Sequence, residues 1–221
     1  VAGSWQIETG MEEIFSDLES IRWSELSHAL GMATDTPILL RGLISDFREE
    51  RLDALYRLME TVWHQGTIYE ATSFVVPFLA RMLLSESTPD RDMIALLFAS
   101  IADGSSYLEI HASPATNSAE NWQNLLSKEG KDFSEQVVLE REWVKATRDA
   151  VAPHLELLYE FIVHEEPELR LAVASALGSY PSHATKSLEV LNAAISVEDE
   201  LHVKQAMLKS GSRLQMDLEA N

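Results

Sequence analysis

Acid–base, metal and nucleophilic chemistry each need particular side chains, and this 221-residue chain offers thirty-six carboxylates, seven histidines and no cysteine. Without a thiol there is no cysteine nucleophile, no thiolate metal ligand and no disulfide framework. Zinc held on a helix needs a tight histidine pair such as H-E-x-x-H, and none of the seven histidines stands in one. His154 and His164 are ten apart, and His164 lies among Glu165, Glu166 and Glu168, where a solvated imidazole is expected. Paired carboxylates do general acid–base work only in a shaped pocket, and no spacing here specifies one. A glycine-rich phosphate loop, a nucleophile elbow and a serine with a recognisable base are all missing. The expectation is therefore a non-enzyme with no catalytic, metal or cofactor-binding residue. The five tryptophans are expected as core or interface anchors.

Binding chemistry is better represented. Acids recur in four clusters: Asp46, Glu49 and Glu50; Glu86, Asp90 and Asp92; Glu165, Glu166 and Glu168; Glu198, Asp199 and Glu200. Some belong there for local reasons, because the dipole at a helix N-terminus stabilises a nearby carboxylate by about 0.3–1 kcal/mol. A continuous acidic rim would also steer a basic partner. The net charge of -19 repels phosphate backbones and anionic lipid heads, so neither nucleic acid nor a membrane is expected as partner. A second group is His64, Gln65 and Tyr69, within Trp63-His64-Gln65-Gly66-Thr67-Ile68-Tyr69-Glu70-Ala71-Thr72.

The elements that must position these residues read as helices. Met11, Ile14, Phe15, Leu18 and Ile21 follow a three-to-four spacing, and a second helix is expected from Trp23 to Leu30. Pro37-Ile38-Leu39-Leu40-Arg41-Gly42-Leu43-Ile44-Ser45 returns forty positions later as Pro77-Phe78-Leu79-Ala80-Arg81-Met82-Leu83-Leu84-Ser85, with five positions identical. Fourteen residues after each proline stands an arginine, Arg51 and Arg91, opening a second helix. A third copy spans Leu158 to Leu177 with Arg170 in that place. A fourth runs from Leu188 to about Leu214, with Lys204 for the arginine and Gly211 where a leucine is expected. A degraded terminal copy suits a capping repeat.

This pattern of helix, acidic turn and small-residue helix, plainest at Glu165-Glu166-Pro167-Glu168-Leu169-Arg170, resembles HEAT repeats. The segment from Trp63 to Thr72, followed by Val76-Pro77-Phe78-Leu79, resembles the HQGTxYEAT signature of a group of small, largely uncharacterised bacterial HEAT-repeat proteins. The resemblance implies an α-solenoid of paired helices with the second helix of each pair inside, and no established chemistry, since such solenoids host many functions. By its own physics the signature reads as a helix junction. Gly66 would close a helix ending near Trp63, His64 would meet that helix's last carbonyls, and Thr67 with Glu70 would form a capping box. Pro77 would bend or restart the following helix.

The fold class expected is all-α, an α–α superhelix of HEAT-like or armadillo-like hairpins with no sheet, in a single domain over residues 1–221. Within it lie N-terminal helices (1–36), two regular repeats (37–102), an irregular insertion (103–135) and C-terminal repeats (136–221). In the insertion, Ser113-Pro114-Ala115-Thr116-Asn117-Ser118 is the expected cleavage point and Ala119 to Leu126 a short helix. The first residues lack the layout of a signal peptide, and no apolar run approaches the roughly 18 residues of a membrane span. A cytoplasmic protein is expected. The function expected is a protein-binding module, an adaptor, inhibitor or immunity-type protein for a basic protein partner, of open oligomeric state. The residues expected at its binding surface are Glu165, Glu166, Glu168, Glu198, Asp199, Glu200, His64, Gln65 and Tyr69. The alternatives are an enzyme related to HEAT-like lyases or glycosylases, and a structural component of a larger assembly.

Overall fold

A computed structural model describes residues 13–112 and 118–220. The chain is largely helical. Its helices are α1 (Thr36–Gly42), α2 (Arg48–Thr61), α3 (Thr72–Leu84), α4 (Arg91–Ala102), α5 (Tyr107–His111), α6 (Ser118–Lys128), α7 (Phe133–Val151), α8 (Pro167–Leu177), α9 (Ala184–Ile195) and α10 (Leu201–Glu219). A 3₁₀ segment, Ala152–Val163, follows α7. The described residues group into two compact units: one of 17–76, 104–112 and 118–150, the other of 13–16, 77–103 and 151–220.

The second unit holds the clearest repeat packing. Helices α4, α8 and α10, each the second of its pair, lie side by side in that order, α4 against α8 and α8 against α10. The partners of α8 and α10, namely the 3₁₀ segment and α9, pack on them and on each other. The residue types dictate this arrangement. Along α8, Leu169, Val173, Ala174, Ala176 and Leu177 are all buried, and their small size lets neighbouring helices approach closely. Where Gly178 ends α8, a Cβ would stand 2.7 Å from that of Ser210 on α10.

In the first unit α1 packs on α2, and there the expectation of no sheet is overturned. Two short antiparallel hairpins are present, β1 (Ser27–His28) with β2 (Gly31–Met32), and β3 (Trp63–His64) with β4 (Thr67–Ile68). The helix expected from Trp23 to Leu30 is replaced by a single 3₁₀ turn, Trp23–Glu25, and by the first hairpin. Side chains there outbid helical bonding for the backbone. The Trp23 indole donates to the Leu18 carbonyl at 3.0 Å, and the Leu30 N–H donates to His28 Nδ1 at 3.1 Å. Of the helix expected over Met11 to Ile21, the described residues hold Glu13 and Ile14 in helix, then a turn at 15–17 and a 3₁₀ turn at Leu18–Ser20. Met11 lies outside the described residues.

The segment 103–135, expected as irregular loop, holds α5, α6 and the start of α7. Its apolar residues do not follow the repeat spacing because they close a small core of their own, Leu108, Ala112 and Leu126, flanked by Tyr107, Trp122, Phe133 and Val137. The short helix expected at Ala119 to Leu126 lies inside α6. The expected cleavage point, up to Asn117, falls outside the described residues. Pro77 stands inside α3, which runs through it rather than restarting.

Two glycines test the packing. Gly178 has ordinary helical dihedrals, φ -65° and ψ -13°, so in open space alanine would stabilise it by roughly 1 kcal/mol. Contact decides the sign instead, because the new methyl would meet Ser210; likewise a Cβ on Gly42 of α1 would stand 2.8 Å from that of Ala54 on α2. Gly178→Ala and Gly42→Ala should each destabilise by about 1–3 kcal/mol in urea unfolding. A stabilised variant would show that the helices separate easily at that point.

Candidate functional site

The acidic turns are built around one device. In each, a cation in the first turn of the second helix folds back on carbonyl oxygens at the end of the first helix or in the connecting turn. Arg51 Nη1 donates to Ser45 O at 2.8 Å and Asp46 O at 3.2 Å. Arg91 Nη2 donates to Leu83 O at 2.7 Å. Arg170 Nη1 donates to His164 O at 2.7 Å and Glu165 O at 2.9 Å, and Lys204 Nζ to Glu198 O at 3.1 Å. These carbonyls close the first helix of each pair and lack helical partners, so the cation satisfies them and fixes the turn.

In the second unit the clamp also ties one turn to the next. Arg91 pairs with Glu160 at 2.7 Å. Arg170 grips Glu198 with two parallel bonds, Nε–Oε2 at 2.6 Å and Nη2–Oε1 at 2.8 Å. The two side chains are 11% and 4% exposed. The Arg170 hydrogen bond, outweighing burial, holds the Glu198 carboxyl below its ordinary value, and the same bond raises Arg170. Glu198 Oε1 further accepts from the Glu200 N–H at 2.9 Å.

Above this pair opens a cleft of about 360 Å³, lined by Val163, His164, Glu165, Arg170, Val197, Glu198, Asp199 and Glu200 among others. The structure thus brings Glu165, Glu198, Asp199 and Glu200 together, four of the six expected acids. Glu166 and Glu168 are exposed on the same turn without lining the cleft. Glu198 differs from the rest, since both its oxygens are engaged and it forms the floor. Among the described residues, Glu165, Glu166, Glu168 and Asp199 have no cationic partner, and Glu200 has only His202 at 3.9 Å. Sequence reasoning missed Val163 and Val197, which stand 63% and 69% exposed on the lining. Their signal was available: each is an apolar residue placed beyond the end of a buried stripe, directly before acids.

His64, Gln65 and Tyr69 are on the first unit, and their segment is not the expected helix junction. Helix α2 ends at Thr61, and His64-Gln65-Gly66-Thr67 is the tight turn of the second hairpin, with φ of 51° at Gln65 and 90° at Gly66. Two successive left-handed residues are what a type I′ hairpin turn requires, and glycine supplies the second without strain. Thr67 and Glu70 form no capping box. The Thr67 hydroxyl bonds the His64 carbonyl at 2.6 Å and the Tyr69 hydroxyl at 2.9 Å, while Glu70 accepts from the Ser27 N–H and hydroxyl at 3.0 and 2.9 Å. The residue that reaches back is Thr72, whose hydroxyl accepts from the Tyr69 N–H at 2.9 Å.

Comparison with family profiles, with characterised proteins and with solved structures finds no match. Function must therefore be argued from these sites. Among the described residues no cluster of three or more potential ligands could hold a metal ion, and no helix is long and apolar enough to cross a membrane. Burial raises the Tyr69 phenol, the Thr67 hydrogen bond opposes that, and Tyr107 and Glu140 add smaller increases.

Two expectations follow. Thr67→Val keeps the shape but leaves the His64 carbonyl without this donor, costing about 1–3 kcal/mol. A variant whose stability in urea unfolding is unchanged would overturn the assignment. Glu198 is lowered from an ordinary 4.5, so its stabilisation is complete above that pH and fades as pH falls through the folded value. Glu198→Gln should cost about 3 kcal/mol at neutral pH by leaving Arg170 buried and unpaired. The gap between wild type and variant should narrow on acidification below 4.5, and a gap that stays constant with pH would contradict the pairing.

Proposed function

We propose that this chain is a non-catalytic protein-binding module of the HEAT-repeat type, and that it takes a basic protein partner on the acidic turns after the 3₁₀ segment and after α9. The supporting observation is the cleft over the Arg170–Glu198 pair. Its floor is neutralised internally, while Glu165, Asp199 and Glu200 stay at its mouth beside the exposed Val163 and Val197. A lysine or arginine fits such a lining twice over, its aliphatic stem against the valines and its charge among the acids. The surrounding Glu166 and Glu168 extend the negative field, which raises the association rate more than the affinity. The resemblance of Glu165-Glu166-Pro167-Glu168-Leu169-Arg170 to a HEAT turn supports the architectural part of the reading, and the packing of α4, α8 and α10 agrees with it.

The test is kinetic. A protein captured by the chain at low salt should be basic, and E165K/E166K/E168K should slow its association by at least about tenfold while circular dichroism stays unchanged. Raising the ionic strength should slow the wild type toward the variant as the screening length shortens from about 10 Å. Association rates indifferent to both the reversal and the salt would rule out this surface.

A further inference from the structure

Helix α10 presents an outer face that nothing described covers. Its buried side is Val203, Met207, Ser210, Gly211 and Leu214. On the opposite side Leu201, Gln205, Leu208, Ser212 and Met216 are exposed, spaced four, three, four and four apart, so they form one straight ridge. Leu201, Leu208 and Met216 are each more than half exposed. The charge here is unlike that of the rest of the chain: in a protein of thirty-six carboxylates, no acid occurs from Leu201 to Met216, while Lys204, Lys209 and Arg213 do.

The first unit carries the complement. Helix α2 buries Ala54, Leu55, Leu58 and Thr61 and turns outward Glu49, Asp53, Tyr56 and Glu60, all exposed and spaced four, three and four apart. Tyr56 is more than half exposed, and among the described residues the three acids have no ion partner. Arg57, off this ridge, pairs with Asp35 at 3.1 Å.

We propose that copies of this chain associate head to tail, the aliphatic, basic ridge of α10 in one copy seated on the acidic, aromatic ridge of α2 in the next. The two ridges share the same three-and-four spacing, as helices that pack along their length require. Tyr56 supplies a large apolar body with a polar tip, and Leu208 and Met216, about 12 Å apart along the helix at 1.5 Å per residue, leave a seat for it. The acids beside Tyr56 meet Lys209 and Arg213. Face-to-face pairing of two α10 helices would instead set Lys209 and Arg213 against their like, so the contact joins unlike ridges, α10 of one copy to α2 of another. This inference is independent of the basic-partner reading, whose residues lie on the turns and remain unaltered in the test.

Sedimentation velocity over a rising concentration series decides it. The wild type should self-associate. L208Q/M216Q on α10 and Y56Q/E60Q on α2 keep helix-forming side chains at exposed positions, so the fold should persist by circular dichroism. Each variant alone should stay monomeric at concentrations at least about tenfold above those at which the wild type assembles. Mixed in equal amounts, the two retain one intact ridge of each kind and should form a one-to-one dimer that grows no further. A wild type that remains monomeric, assembly that survives in either variant, a mixture that stays monomeric, or one that grows past the dimer would each overturn the proposal.

Discussion

A cation folded back on the carbonyls of an acidic turn is the interaction on which the repeat depends. Two helices joined by a few residues leave the last carbonyls of the first helix and the first amides of the second without intrahelical partners. The acids supply a favourable field for the amides, yet Glu166, Glu200 and Asp90, at the cap positions of α8, α10 and α4, make no capping hydrogen bond. The carbonyls are met by Arg51, Arg91, Arg170 and Lys204. Removing such a cation would leave oxygens unsatisfied and loosen the angle between the helices, and with it the burial of the small-residue stripe behind. The guanidinium suits the task better than an ammonium because its fork serves the turn and a neighbouring carboxylate together, as Arg170 does with Glu198. Lys204 serves its turn alone.

Much of this was legible in the sequence because it repeats. The recurrence of Pro-x-Leu-x-Arg-x-Leu-x-Ser at a distance of forty, and an arginine fourteen residues after each proline, located α1 through α4. Arg170 and Lys204 located the pairs that end in α8 and α10. What the periodicity could not reveal is what interrupts it. Within 103–135 the described chain is helical at 107–111, 118–128 and from 133 onward, but its apolar residues answer to Leu108, Ala112 and Leu126 rather than to the repeat, so the repeat spacing reads them as loop. Loop-forming dipeptides such as Asp103-Gly104 and Glu129-Gly130 mark the ends of these helices, with Gly130 at φ 74°.

The hairpins show a different limit. Thr67-x-x-Glu70 satisfies the spacing of a capping box, and Gln65-Gly66 satisfies that of a hairpin turn; both patterns are present at once. Length argued for the helix, since strands of two residues are too short to show alternation. Distant groups settle it for the hairpin. Glu70 accepts from Ser27, forty-three residues earlier, and the Ile68 N–H donates to Ser105 O at 3.1 Å, thirty-seven residues later. A carboxylate that has found a half-buried serine and its amide does not return to cap its own helix, and no local rule could have anticipated that partner.

The same turn clamps account for the charge on the surface. The chain has seventeen lysines and arginines against thirty-six carboxylates, and the cation of each repeat points inward at carbonyl oxygens. A basic side chain so engaged cannot neutralise an acid nearby, except where it reaches a second partner, as Arg91 reaches Glu160 and Arg170 reaches Glu198. Among the described residues, Glu165, Glu166, Glu168 and Asp199 are thus left without counterions as a consequence of how the turn is held. Their repulsion is tolerable because they are exposed and screened, whereas an unpaired charge at the position of Glu198 would not be. A negative turn edge is thus what the folding solution itself produces, and a valine before each of the two acidic turns converts it from a diffuse field into a surface with shape.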